Sequence, residues 1–227
     1  MFSPTLFFIL TISSLVLEPN TIFLAKGWET PLGPVLNAAA LAEVVQRRVR
    51  EPIGGRGGVE LTEEPVAPRH PDNAVELHMP FVRHFFPRAE MLMVGVEASA
   101  RALELGQQVG EAVREAGRDA VFIGSTDLTH YGPNYRYEPH GPGQHGVDWV
   151  RTVNDRGFLD RVLAADAAGA VTHAKDNASA CCPGAVAACM SAAQAVQGPL
   201  HPRLVDHYLS CDVRPASSFV GYAGIVL

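Results

Sequence analysis

The chain has 227 residues, which suits one large domain or two small ones and lets it bury a substantial core without disulfide staples. Apolar residues make up 47% and charged residues 19%, the balance of a soluble globule. A formal net charge of -6 argues against nucleic-acid binding, which needs a clustered basic face, and the run Gln46-Arg47-Arg48-Val49-Arg50 reads as a solvated helix face.

The segment from Met1 to Leu17 has no charged side chain, so it lacks the basic start of an export signal. Ser13-Ser14 and Glu18-Pro19-Asn20 cut the apolar run short of the roughly 20 residues of a membrane span. Pro4 to Ser13 therefore reads as a buried parallel strand in a cytoplasmic protein with no membrane association. Pro and Gly make Leu15 to Leu32 irregular. Asn37 to Arg50 has Leu41, Val44, Val45 and Val49 at helical spacing, with Asn37 as the expected N-cap. Gly54 to Gly58 is a flexible turn without the Lys-Ser/Thr of a phosphate loop.

Asp72 to Phe86 reads as an amphipathic helix, kinked or split at Pro80 and stopped by Pro87. Glu90 to Gly95 is a buried strand, and Ser99 to Gly117 a long helix ended by Gly117. Asp119 to Ser125 is another apolar strand, Asp127 to Tyr137 the loop after it, and Gly141 to Gly146 a turn. Val147 to Ala168 is helical in at least two pieces. Asp176 to Gly184 is a loop, and Ala185 to Val196 an Ala-rich helix that must pack closely. Leu204 to Asp212 and Phe219 to Val226 close the chain as strands, antiparallel because a short turn joins them. The alternation predicts one α/β domain with a mixed, mostly parallel sheet and helices on both faces.

Two loops carry candidate chemistry. Gly124-Ser125-Thr126-Asp127-Leu128-Thr129-His130-Tyr131-Gly132 follows a buried strand, and in open α/β sheets sites form beyond the carboxyl ends of strands. Asp127 and His130 can converge there as an acid–base pair or as metal ligands, or can simply cap and stabilise the turn. Asp176 to Gly184 holds Cys181 and Cys182 before a helix, where the positive end of the dipole favours thiolate. The alternative is a pair of inert, buried cysteines. Adjacent Cys181 and Cys182 are poor disulfide partners, and all four cysteines read as reduced thiols, with Cys189 and Cys211 as packing residues in a helix and a strand. His140 and His145 flank glycines and read as exposed loop residues, or as metal ligands; His70, His84, His173, His201 and His207 carry no spacing signal.

Five segments in this order resemble the Memo family, called AmmeMemoRadiSam system protein B in prokaryotes. They are Trp28-Glu29-Thr30-Pro31-Leu32-Gly33, Val75-Glu76-Leu77-His78-Met79-Pro80-Phe81, the Gly124 to Gly132 loop, Ala180-Cys181 with Gly184, and Ser210-Cys211-Asp212-Val213 with Val220-Gly221-Tyr222-Ala223. The resemblance implies a fold similar to class III extradiol dioxygenases, the non-haem iron enzymes that open aromatic rings. It also implies a metal pocket fed by a His in a Pro-His-Ala-Gly segment, a His after the second strand and a Cys at Cys181, with Asp127 and His130 lining it.

The chain departs from this pattern. Pro-His-Ala-Gly is absent, Ser14 stands at the position matched to the metal His, and Asp72-Asn73-Ala74 replaces a frequent Glu-His-Ser. A hydroxyl substitutes poorly for imidazole on a transition metal. The expectation is a single Memo-like domain over residues 1–227, N-terminally truncated relative to the family. Its partial metal pocket of Cys181, His130 and Asp127 would hold iron or copper weakly or not at all. A missing N-terminal segment would leave a sheet edge or core face uncovered, inviting homo-oligomerisation. Three readings stay open: a Memo-like protein with a vestigial pocket and an unidentified small-molecule or protein partner, a non-haem iron dioxygenase-type oxidoreductase with His130, Cys181 and His140 or His145 as iron ligands, and a cysteine-dependent hydrolase using Cys181 with His130.

Overall fold

The computed structural model describes residues 6–11, 20–50, 62–64 and 76–227, with side chains described in 20–50 and 76–227. Ser14, the Gly54 to Gly58 turn and Asp72-Asn73-Ala74 lie outside the described residues. The first sheet contains β1 (Leu6–Thr11), β2 (Thr21–Phe23), β3 (Gly27–Trp28), β4 (Val35–Asn37), β5 (Thr62–Glu64), β6 (Glu90–Gly95) and β7 (Ala120–Ser125). Its main path is β3-β4-β6-β1-β7, with β2 beside β6 and β5 beside β2. The pairs β1–β6, β1–β7, β4–β6 and β2–β5 are parallel, while β2–β6 and β3–β4 are antiparallel. This is the expected mixed, mostly parallel sheet.

Strand β6 shows why both faces of such a strand must be apolar. Leu92 and Val94 join a core with residues of α1 (Ala39–Val49), α3 (Arg101–Ala116) and α7 (Pro183–Gln197). Met91 and Met93 point the other way, toward Trp28 and Met79 and Val82 of α2 (Met79–Phe85). A period of two sends alternate residues to opposite faces, and helices cover both. Leu77 and His78 form a turn and α2 starts afresh at Met79, so the helix is split ahead of Pro80, which sits in the first turn where a missing N–H costs nothing.

Helix α3 ends at Gly117 in the left-handed region, φ 61°, as anticipated. It packs on α7 at very close range: a Cβ on Gly106 would lie 2.2 Å from the carbonyl oxygen of Ala188. The Ala-rich α7 supplies the matching small surface. The basic run on α1 faces acidic residues of α3, with Arg47 on Glu115 at 2.5 Å and Arg48 on Glu111 at 2.8 Å.

Several expectations are corrected. Strands β2 and β3 occupy part of the supposedly irregular Leu15 to Leu32 stretch. Helix α1 begins after Ala38, and Asn37 does not cap it. Its amide instead donates to the carbonyls of Phe23 (3.0 Å) and Ala25 (2.8 Å), tying β4 to the chain around β2. A helix α6 (Ala167–Asn177) runs into the predicted Cys181 loop. The predicted strand to Asp212 stops at Leu209, and Cys211 lies in a short helical turn, α8 (Ser210–Val213).

The second sheet has the order β8-β10-β9, formed by β8 (His130–Tyr131), β9 (Arg203–Leu209) and β10 (Phe219–Val226). Both pairings are antiparallel; that of β9 with β10 was expected, whereas β8 lies within the predicted Asp127 to Tyr137 loop. The predicted Val147 to Ala168 helical region is interrupted: α4 (Gln144–Trp149) runs into a π-helical turn (Val150–Asn154) before α5 (Asp155–Leu163). Among the described residues β7 ends the main path of the first sheet. An apolar cavity of about 460 Å³ opens beside it, lined by residues including Phe122, Phe158, Leu159 and Met190, and Val121 is 43% exposed. No helix among the described residues is long and apolar enough to cross a membrane.

Candidate functional site

The loop leaving β7 is held by backbone on two sides. Leu128 N–H donates to Gly221 O at 2.9 Å, and Gly221 N–H donates to Thr129 O at 3.0 Å, so the loop joins the second sheet. On the other side Leu128 bridges Ala180, and Cys181 N–H donates to Asp127 O at 3.1 Å. These contacts bring the two candidate loops into one site at the carboxyl end of β7, where ligand sites of open α/β sheets occur.

A buried polar network supports the loop from below. The Asp155 carboxylate has no exposed surface, and its Oδ1 accepts from Thr129 N–H at 3.1 Å and from the Thr129 hydroxyl. Its Oδ2 lies 2.9 Å from His207 Nε2. Asn154 donates to Thr129 Oγ1 at 2.9 Å and to Asn177 O at 3.0 Å. Gly221 has to be glycine for this arrangement, because a Cβ there would come within 2.0 Å of Asp155 Oδ2. Buried charges need such partners.

His130 Nε2 lies 3.4 Å from Asp127 Oδ2, with both side chains partly exposed. The His130 pKa is raised chiefly by the hydrogen bond with Asp127, against burial, and negative charge on Cys181 and Asp127 raises it further. The imidazole also meets the edge of Tyr135, with ring centroids 4.9 Å apart.

Cys181 is partly buried, and its pKa is lowered to about 6. The largest cause is its hydrogen bond with Cys182, whose sulfur lies 3.3 Å away; when Cys181 ionises, the Cys182 S–H is the donor. Burial opposes the shift. The Thr126 hydroxyl, 3.7 Å from Cys181 Sγ, and the nearby backbone lower the pKa further. Thr126 Oγ1 also accepts from Cys182 N–H at 2.9 Å, which fixes the second cysteine at the start of α7. The cysteine elsewhere in α7 behaves differently: burial pushes the Cys189 thiol up to about 12. Burial also raises the pKa of Cys211. All four cysteines are free thiols, as expected.

Asp127, His130 and Cys181 thus share one site with Cys182, together with Thr126 and Tyr135, which the sequence did not single out. Tyr222 borders it as well; burial raises its pKa, helped by the charges of Asp127 and Cys181. Tyr208 lies against Tyr222 with ring centroids 5.6 Å apart. Alternation along β9 and β10 could have indicated these tyrosines, but nothing in the spacing linked them to Asp127. His140 and His145 lie exposed, His140 stacked on Trp149 at 4.3 Å.

The resemblance implied iron or copper on Cys181, His130 and Asp127. Among the described residues, no group of three or more His, Cys, Asp or Glu is close enough to hold a metal ion. The donor set described does not fit such a group, and Ser14, the position matched to the metal His, lies outside it.

The model of the Memo-like protein family matches residues 2–226. A MEMO1 family protein of Methanothermobacter thermautotrophicus is 34% identical over 200 residues, covering 86% of this chain and 63% of the relative. A MEMO1 family protein of Pyrobaculum aerophilum is 27% identical, covering 92% and 66% respectively. The chain therefore spans about two thirds of the length of these curated relatives. The solved structure of an uncharacterized protein, JW3007, from Escherichia coli K12 is similar with a TM-score of 0.51 at 13% identity. It covers 96% of this chain and 84% of its own, a likeness of fold alone. A family match over residues 2–226, nearly the whole chain, shows that it belongs to the Memo family.

Proposed function

We propose that this Memo family protein works through Cys181 as a nucleophilic thiolate on a small electrophilic substrate. His130 handles the proton and Asp127 orients it. The observation that carries the reading is a thiol lowered to about 6, partly accessible, in one site with a His–Asp pair. A thiolate is the reactive form of cysteine, and a neighbouring base oriented by a third group is the recurring plan of covalent catalysis.

The Cys181 sulfur forms the new bond, and the leaving group departs with its electron pair and takes a proton from the His130 imidazolium. Water then attacks the S-linked intermediate while His130 accepts its proton, which frees the thiolate. The raised pKa of His130 favours the protonated form needed for the first step. Cys182 and Thr126, rather than His130, are the main groups holding the thiolate. The described residues include no group of three or more His, Cys, Asp or Glu placed to hold a metal ion, so the reading rests on the thiolate and not on iron or copper.

The test uses p-nitrophenyl acetate. A burst of nitrophenolate stoichiometric with protein is expected, lost in Cys181→Ser, with slower release of the acetyl group in His130→Ala. In parallel, iodoacetamide labelling of Cys181 should reach half its maximal rate near pH 6, the value given above. No burst, with labelling that follows an ordinary thiol, would overturn the proposal.

A further inference from the structure

The mechanism above uses one thiol of two. Cys182 is 2% exposed, yet its sulfur lies 3.3 Å from Cys181 Sγ. The positions of both residues are set by backbone, Cys181 N–H on Asp127 O and Cys182 N–H on Thr126 Oγ1. The pair therefore presents one accessible sulfur backed by a second, water-excluded sulfur held in contact.

We infer that Cys181 and Cys182 form a dithiol site for hydroperoxides, in which Cys181 attacks the peroxide and Cys182 resolves the product as a vicinal disulfide. In the first step the Cys181 thiolate takes one peroxide oxygen. The O–O bond breaks, the other oxygen leaves with the electron pair and takes a proton from the His130 imidazolium to give water or an alcohol, and Cys181 becomes a sulfenic acid. In the second step the Cys182 sulfur attacks the Cys181 sulfur, hydroxide leaves and takes the Cys182 proton as water, and the disulfide forms. Two electrons pass from the dithiol to the peroxide.

Geometry favours resolution within the pair. The sulfurs need to close from 3.3 Å to a bond of about 2 Å, and no other thiol need be recruited. Cys189, buried with a thiol pushed up to about 12, is poorly suited to attack. Adjacent cysteines close a small strained ring, and strained disulfides are the easily reduced, labile kind. This explains how two cysteines that are poor partners in the resting protein can act as a reversible pair.

The inference rests on Cys181 being the nucleophile, and one experiment separates the two claims. The full chain is treated with stoichiometric hydrogen peroxide and then digested for mass spectrometry. The peptide holding both cysteines should lose two hydrogen masses and regain them with dithiothreitol. In Cys182→Ser, Cys181 should stop at the sulfenic acid, with dimedone trapping at least about tenfold more than in the parent protein. In Cys181→Ser no oxidised form of Cys182 should accumulate. Rapid iodoacetamide labelling of Cys181 together with sulfinic acid, and no vicinal disulfide, overturns the dithiol inference and leaves the nucleophile standing. Slow, ordinary labelling of Cys181 removes both. The parent protein's mass shift decides the matter even where a serine variant fails to fold.

Discussion

His207 Nε2 lies 2.9 Å from Asp155 Oδ2, and the opposite oxygen of that fully buried carboxylate holds the backbone of Thr129, one residue before His130. A fully buried carboxylate, held by a partly exposed imidazole, therefore fixes the loop that carries the site's chemistry. Replacing Asp155 by Ala orphans the Thr129 N–H, its hydroxyl and His207 together. Leaving buried polar partners unpaired should cost about 3 kcal/mol, measured by urea denaturation. A loss under about 1 kcal/mol would mean that water or rearrangement replaces the carboxylate.

The thiolate of Cys181 depends first on its neighbour. Cys182→Ala removes the largest cause of the lowered pKa while burial, which opposes ionisation, remains. The pH at half-maximal iodoacetamide labelling should therefore rise well above 6 toward the ordinary thiol range. The linkage to stability has a definite sign. A depressed thiol pKa adds stability that is present above the unfolded-state value and is lost as pH falls toward the folded value. Over that window the parent protein should gain stability with rising pH more steeply than Cys182→Ala. Parallel stability curves for the two proteins would contradict it.

Helix α3 provides a test of packing against propensity. Gly106→Ala would gain up to about 1 kcal/mol of helix propensity in an isolated helix. Here the added Cβ would lie 2.2 Å from the Ala188 carbonyl, backbone that cannot swing aside. Overpacking of this kind costs about 1–3 kcal/mol, so the variant should be destabilised, with a lower thermal midpoint by circular dichroism. An unchanged or higher midpoint would show that α3 and α7 separate at little cost.

The regular elements were legible because burial imposes a period. Glu90 to Gly95 and Phe219 to Val226 are observed with their expected limits, and Gly117 closes α3 as its lack of a side chain suggested. Asn37 was misread because an amide before a helix can serve the helix or a neighbouring strand, and only tertiary contact with Phe23 and Ala25 decides. Of the site, Asp127, His130 and Cys181 were visible as chemistry near strand and helix ends. The Asp155–His207 support was not, since its partners lie 52 residues apart and neither has a local signature. Cys182 was visible as a thiol at a helix start and as a doubtful disulfide partner, but its support of Cys181 was not, because that follows from where Thr126 fixes its backbone.

His130 offers the closing test of the site's electrostatics. Four influences raise its pKa against burial's opposition, and the hydrogen bond with Asp127 is the largest. Asp127→Asn should therefore lower the imidazole pKa, followed by NMR of the ring protons, and Cys181→Ser should lower it by less, since the thiolate charge ranks below both that bond and burial. A raised histidine pKa adds stability that is fully present below the unfolded-state value and is lost as pH rises through the folded one. Asp127→Asn should thus flatten this fall in stability near neutral pH and leave the opposite, thiol-linked rise in place. Were Cys181→Ser to shift His130 more than Asp127→Asn does, the thiolate rather than the carboxylate would be the imidazole's chief partner, and the assignment of Asp127 as the orienting group would fall.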